Sequence, residues 1–120
     1  MLSVELPPEP ASASRARQFA RDRLRVVCPP DVLDTVALLV TELVTNAILH
    51  ACTLMQLELE AHPDHIRLCV EDASPRQPQV RHYGSDAVTG RGLALVEKLA
   101  TSWGVERTPS GKMVWCEIAI

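Results

Sequence analysis

Apolar positions recur along this chain with two periods, and the switches between them mark out its elements. Leu2-Ser3-Val4-Glu5-Leu6 alternates until Pro7-Pro8 stops it, which predicts a short edge strand. Ala16, Phe19, Ala20, Leu24 and Val27 then share one face of a helix, with Ser12 or Ser14 as its cap and Cys28-Pro29-Pro30 as its end. Pro30-Asp31 opens a second helix. In it Val36, Leu39, Val40, Leu43, Val44 and Ala47 recur at helical spacing, within a stripe about 140° wide at roughly 100° per residue. Glu42, Asn46 and His50 are spaced four apart and form a second row along the rim of that stripe.

The period then changes to two. Leu57, Leu59 and Ala61 alternate with polar residues, as do Ile66, Leu68 and Val70, and Pro63-Asp64 lies between the two runs. This reads as a hairpin with one wet face. His62-Pro63-Asp64-His65 reads as a solvated turn. Residues 73–89 carry prolines and scattered charge, and a loop of that length is often functional. Gly90-Arg91-Gly92 leads into a helix over 93–100, and strands over about 102–108 and 113–120 follow, joined at Pro109-Ser110-Gly111. The predicted architecture is a single domain over 1–120 of the α/β (α+β) class. It is a two-layer sandwich with a mixed, largely antiparallel sheet covered on one face by three helices.

Composition narrows what the sandwich can do. The longest unbroken apolar run is Val36–Val40, so no transmembrane span is expected. Met1-Leu2-Ser3-Val4-Glu5 lacks the basic and apolar blocks of a signal peptide, so a cytoplasmic location is expected. Net charge is -3 with only two lysines and 3% aromatic residues, which argues against a nucleic-acid partner. Cys28, Cys52, Cys69 and Cys116 show no CxxC spacing and read as reduced core residues rather than zinc ligands.

Three features carry candidate chemistry. Glu42 and Asn46 sit one helical turn apart. An amide oxygen suits Mg²⁺, and a neighbouring carboxylate can take a proton from an incoming hydroxyl. Asp72 ends a strand, where it can accept a hydrogen bond from an exocyclic amine. Gly90-Arg91-Gly92-Leu93 starts a helix, where free N–H groups and the helix dipole suit phosphate.

In this order the stretches Thr41-Glu42-Leu43-Val44-Thr45-Asn46-Ala47-Ile48-Leu49-His50-Ala51, Val70-Glu71-Asp72 and Gly90-Arg91-Gly92-Leu93-Ala94-Leu95-Val96 resemble the Bergerat ATP-binding fold. That superfamily includes gyrase, the heat-shock chaperone ATPase, histidine kinases and mismatch-repair ATPases. Within it, Trp103-Gly104-Val105 and Gly111-Lys112-Met113-Val114-Trp115 look most like the anti-sigma-factor serine/threonine kinases and stand-alone ATP-binding regulators of actinomycetes.

The resemblance implies ATP and Mg²⁺ as cofactors. Asn46 would hold the Mg²⁺ that bridges the phosphates. Glu42 would be the catalytic carboxylate, and Asp72 would bind the adenine amino group. Thr89, Gly90, Arg91, Gly92 and Leu93 would lie at the phosphates, with 73–89 as the lid. His50 and Lys112 would also line the nucleotide, although His50 reads more readily as a helix-end histidine and Arg91 reads equally as a solvated arginine. Implied partners are an anti-anti-sigma-like antagonist phosphorylated on Ser or Thr, a sigma factor or other transcription regulator, and a second copy in a homodimer. Neither nucleic acid nor membrane is an expected partner. The departure from the family pattern has two parts: Asp-x-Gly-x-Gly appears here as Asp72-Ala73-Ser74-Pro75-Arg76, and the late Gly-Thr appears as Gly111-Lys112. It leaves open a catalytically weak nucleotide-binding module acting on a regulatory partner. A histidine-kinase reading is less favoured, because no helix with a phospho-acceptor histidine precedes the domain.

Overall fold

The computed structural model describes residues 2–74 and 94–120. The chain runs β1 (Leu2–Leu6), α1 (Ala11–Leu24), α2 (Pro30–His50), β2 (Met55–Ala61), β3 (His65–Asp72), a third helix α3 described over 94–99, β4 (Ser102–Thr108) and β5 (Gly111–Ala119). The five strands form one sheet in the order β1-β2-β3-β5-β4. Every pairing is antiparallel, so the parallel component of the expected mixed sheet is absent among the described strands. Strand β1 lies at the edge, as its two following prolines predict.

Alternation decides the faces. Leu57, Leu59, Ile66, Leu68, Val70, Val114, Cys116 and Ile118 point one way and are buried with Ala16, Ala20, Leu24 and the α2 stripe. Val96 of α3 joins the same core. The opposite face of the sheet carries no helix among the described residues.

Helix α2 starts where Pro30 sits in its first turn, a position whose missing N–H costs nothing. By length and composition it is apolar enough to cross a membrane, which the short unbroken run alone did not convey. Here its apolar stripe packs on the sheet instead.

Helix α1 departs from expectation at both ends. Neither Ser12 nor Ser14 caps it, and Pro10 occupies the cap position without a side-chain bond. Ser12 is buried and donates its hydroxyl to the Pro7 carbonyl at 2.6 Å. Backbone bonds from Ser12 N to Glu9 O and Ala13 N to Pro10 O close that turn one step earlier than a serine cap would. The helix ends at Leu24, so Val27 leaves the core and is exposed. Cys28, Cys69 and Cys116 are buried free thiols, whereas Cys52 is exposed, correcting its core assignment. Cys52 follows the end of α2 in the left-handed region, with φ 58°, and that turns it away from the core. His62 and His65 stack at 4.4 Å and bond Glu60 and Asp64, and no metal-binding cluster occurs among the described residues.

Leu68 is fully buried at the centre of the sheet. Leu68→Ala should therefore lower unfolding free energy by about 2–5 kcal/mol in urea titrations. Val26→Ala, at an exposed position, should stay within about 0.5 kcal/mol.

Candidate nucleotide site

The C-terminal half of α2 and one end of the sheet are brought together by a short connection. Helix α2 ends at His50, and β2 begins at Met55, which pairs with Asp72. Between them Thr53 Oγ1 accepts the Ala73 N–H at 3.1 Å, tying the connection to the strand end that carries Asp72. On the other side Asp72 pairs with Lys112 of β5. Glu42, Asn46 and His50 thus occupy the last two turns or so of a helix that ends beside Asp72 and Lys112.

Each of these residues sits in a distinct environment. Asn46 is 6% exposed, deeper than the rim position its spacing predicts. Glu42, one turn earlier, is half-buried, and desolvation raises its carboxyl pKa above the usual range. His50 is half-buried at the helix end.

Asp72 is 4% exposed. Burial raises its pKa, opposed by the hydrogen bond from the Ser74 N–H and by the charge of Lys112, while Glu71 adds to the rise. The Ser74 N–H reaches Asp72 Oδ1 at 2.8 Å, a local turn of the Asx kind. The other carboxylate oxygen accepts no bond from a described residue. Lys112 is itself buried, which its place in an alternating strand did not signal.

The missing glycine at position 74 has a local explanation. Cys52 is the single non-glycine residue with positive φ among those described, so Ser74 holds an ordinary backbone conformation that does not call for glycine. Close approach falls instead at Gly111, where a Cβ would collide with the backbone carbonyl of Asp72 and Cα of Ala73. Thr53, Ser74 and Gly111 were not singled out as site residues from the sequence. The signal for Gly111 was its place in the late Gly111-Lys112 pair. Thr53 carries no signal of its own. Thr89, Gly90, Arg91, Gly92 and Leu93, and the lid from 75 to 89, lie outside the described residues.

The donor set fits a nucleotide with a hard cation. A buried amide oxygen, a half-buried carboxylate one turn away and a buried acceptor at a strand end are all oxygen ligands or acceptors. Asn46 would hold Mg²⁺ and phosphate, and Asp72 would take the base amine. Mg²⁺ would neutralise charge on the phosphates when bound.

Comparison with known proteins assigns the family and the fold. The model of the histidine kinase-like ATPase domain matches residues 6–118. The chain therefore belongs to the histidine kinase-like ATPase family and is a Bergerat-type ATP-binding domain. Among solved structures, the histidine kinase domain from the Erythrobacter litoralis EL346 blue-light activated histidine kinase is similar at TM-score 0.61 and 22% identity, over 94% of this chain and 61% of that one. A second structure of the Erythrobacter litoralis EL346 blue-light activated histidine kinase is similar at TM-score 0.60 and 22% identity, over 94% of this chain and 45% of that one. The chain thus spans about half to three-fifths of the structures it resembles, and that likeness concerns the fold. No curated protein matches the chain.

The raised Glu42 pKa has a signed consequence. A carboxylate whose folded pKa exceeds its unfolded value costs stability while it is ionised. Glu42→Gln should therefore melt higher than the parent at pH 7. The gain should shrink as pH falls through the raised pKa and vanish below the ordinary carboxylate range, as followed by thermal unfolding across pH.

Proposed function

We propose that this protein is an ATP- and Mg²⁺-dependent regulator of the anti-sigma-factor kinase type, acting in the cytoplasm. It would phosphorylate a serine or threonine of an antagonist protein and control transcription through a bound sigma factor or similar regulator. The observation that carries this reading is the buried Asn46 one helical turn from the half-buried Glu42, whose carboxyl pKa is raised by burial. In the transfer, Glu42 accepts the proton of the attacking hydroxyl while the γ-phosphoryl group leaves the β-phosphate oxygen. A carboxyl shifted upward by burial is better matched to that task than a solvated one. Asn46 and Asp72 position the two ends of the nucleotide.

A second reading has its own support. One oxygen of Asp72 is already engaged by the Ser74 N–H, and Lys112 lies beside it where the family pattern carries threonine. Both features compete for the carboxylate that would read the base. They favour a nucleotide-binding module that acts on a regulatory partner with weak or no transfer.

One set of experiments separates these readings. Calorimetric titration of ATP with Mg²⁺ should show saturable binding to the parent, and Asn46→Ala should weaken it roughly 10- to 100-fold, the loss of a charge-assisted contact. Glu42→Gln should keep binding and slow labelled phosphate transfer to an antagonist protein about 10²- to 10⁴-fold. Binding without transfer in the parent selects the second reading. Absence of binding at millimolar ATP rejects both.

A further inference from the structure

The face of the sheet turned away from the helices has a charge pattern that the nucleotide site does not use. Strand registers place Glu5, Gln56, Glu71, Met113 and Glu106 in one row across all five strands. At about 4.8 Å per strand that row is roughly 19 Å long. A neighbouring row holds Ser3, Glu58, Cys69, Trp115 and Gly104. On the far side of it, Arg67 is flanked by Glu60 and Glu117. The face thus carries six glutamates against one arginine, more negative than the net -3 of the whole chain. In the opposite layer Arg15, Arg17, Arg21 and Arg23 of α1 are balanced by Asp22 and by Asp31, Asp34 and Glu42 of α2, so the acidic excess lies on the sheet face.

The single cation on the acidic face is already committed. Arg67 bonds Glu117 at 3.2 Å and stacks over the Trp115 ring at 4.6 Å. Glu60 bonds His62, and Glu117 also accepts the Ser102 hydroxyl. Glu5, Glu58, Glu71 and Glu106 have no such contact with a described residue. Like charges on adjacent strands disfavour the sheet that holds them, and an added cationic surface relieves that repulsion.

The centre of the face is partly apolar. Trp115 lies directly on Gly104, where a Cβ would stand 2.8 Å from the indole nitrogen, and half-buried Met113 sits beside it. An acidic ring around an aromatic and thioether centre has the make-up of a protein-binding surface.

We infer that the open sheet face docks a lysine- and arginine-rich segment of a partner protein, its cations on Glu5, Glu58, Glu71 and Glu106 and its apolar contact on Met113 and Trp115. The surface lies on the far side of the sheet from Asn46, so docking and nucleotide binding are separate events.

A labelled oligolysine peptide is the probe, with labelled oligoglutamate as its control. Fluorescence anisotropy should show oligolysine binding that weakens as salt rises. The triple variant Glu58→Gln, Glu71→Gln, Glu106→Gln should bind it at least about tenfold more weakly, by loss of the local field. A variant with the same change in net charge placed elsewhere, Glu9→Gln, Asp31→Asn, Glu97→Gln, should stay within about twofold of the parent. Equal weakening in both variants, or no binding to the parent, overturns the inference. So does a parent dimer in sedimentation that the face variant disperses, because the face is then occupied by a second copy. ATP titration of the double variant Glu58→Gln, Glu106→Gln, which keeps the Glu71 charge beside Asp72, should match the parent, so failure of the nucleotide reading is seen separately.

Discussion

Everything at the nucleotide site depends on how one helix lies on one sheet. The apolar stripe of α2 packs against the inward residues of β2, β3 and β5, and burial of that stripe is the main favourable term holding the layers together. The same packing fixes the rotation of the helix about its axis. Asn46 lies beside Leu43 and Ala47 on the buried side, and Glu42 lies at the edge. An amide is thereby carried below the surface by its apolar neighbours. A carboxylate one turn away keeps enough exposure to meet a substrate and enough burial to raise its pKa.

The other half of the site depends on strand register. Asp72 ends β3 between Met55 and Lys112, and a slip of one residue would turn its carboxylate to the opposite face. Gly111 lets β5 close over the Asp72 backbone, and Thr53 holds the α2–β2 connection against Ala73. Local backbone bonds therefore hold the strand end, whereas long-range apolar packing holds the helix. The open face of the sheet is set by the same registers, and its rows of glutamate follow from the alternation that buries the other side.

Much of this was legible in the residues. The α2 stripe is long and strongly periodic, so its existence, its N-terminal proline and the Glu42/Asn46/His50 row could be read directly. The two hairpins were visible as alternation around Pro63-Asp64 and Pro109-Ser110. What escaped were features that side-chain type does not encode. Ser12 looked like a cap and is instead a buried donor to Pro7, because backbone bonds had already started the helix. Cys52 takes a left-handed conformation usually given to glycine or asparagine. Ser74 stands where a glycine was expected, and its N–H occupies Asp72 through a two-residue turn. The depth of Asn46 and of Lys112 depended on how the layers meet, and periodicity reports direction rather than depth.

The central claim is that packing of α2 keeps the Asn46 amide ready for a nucleotide-bound cation. Its side-chain NH₂ resonances, assigned by comparison with Asn46→Asp, report this directly in a nitrogen-15 spectrum. Addition of ATP with Mg²⁺ should move them strongly, while Mg²⁺ alone should leave them in place and ATP with a chelator should move them little. Saturation by Mg²⁺-ATP with the Asn46 resonances unmoved would contradict the account.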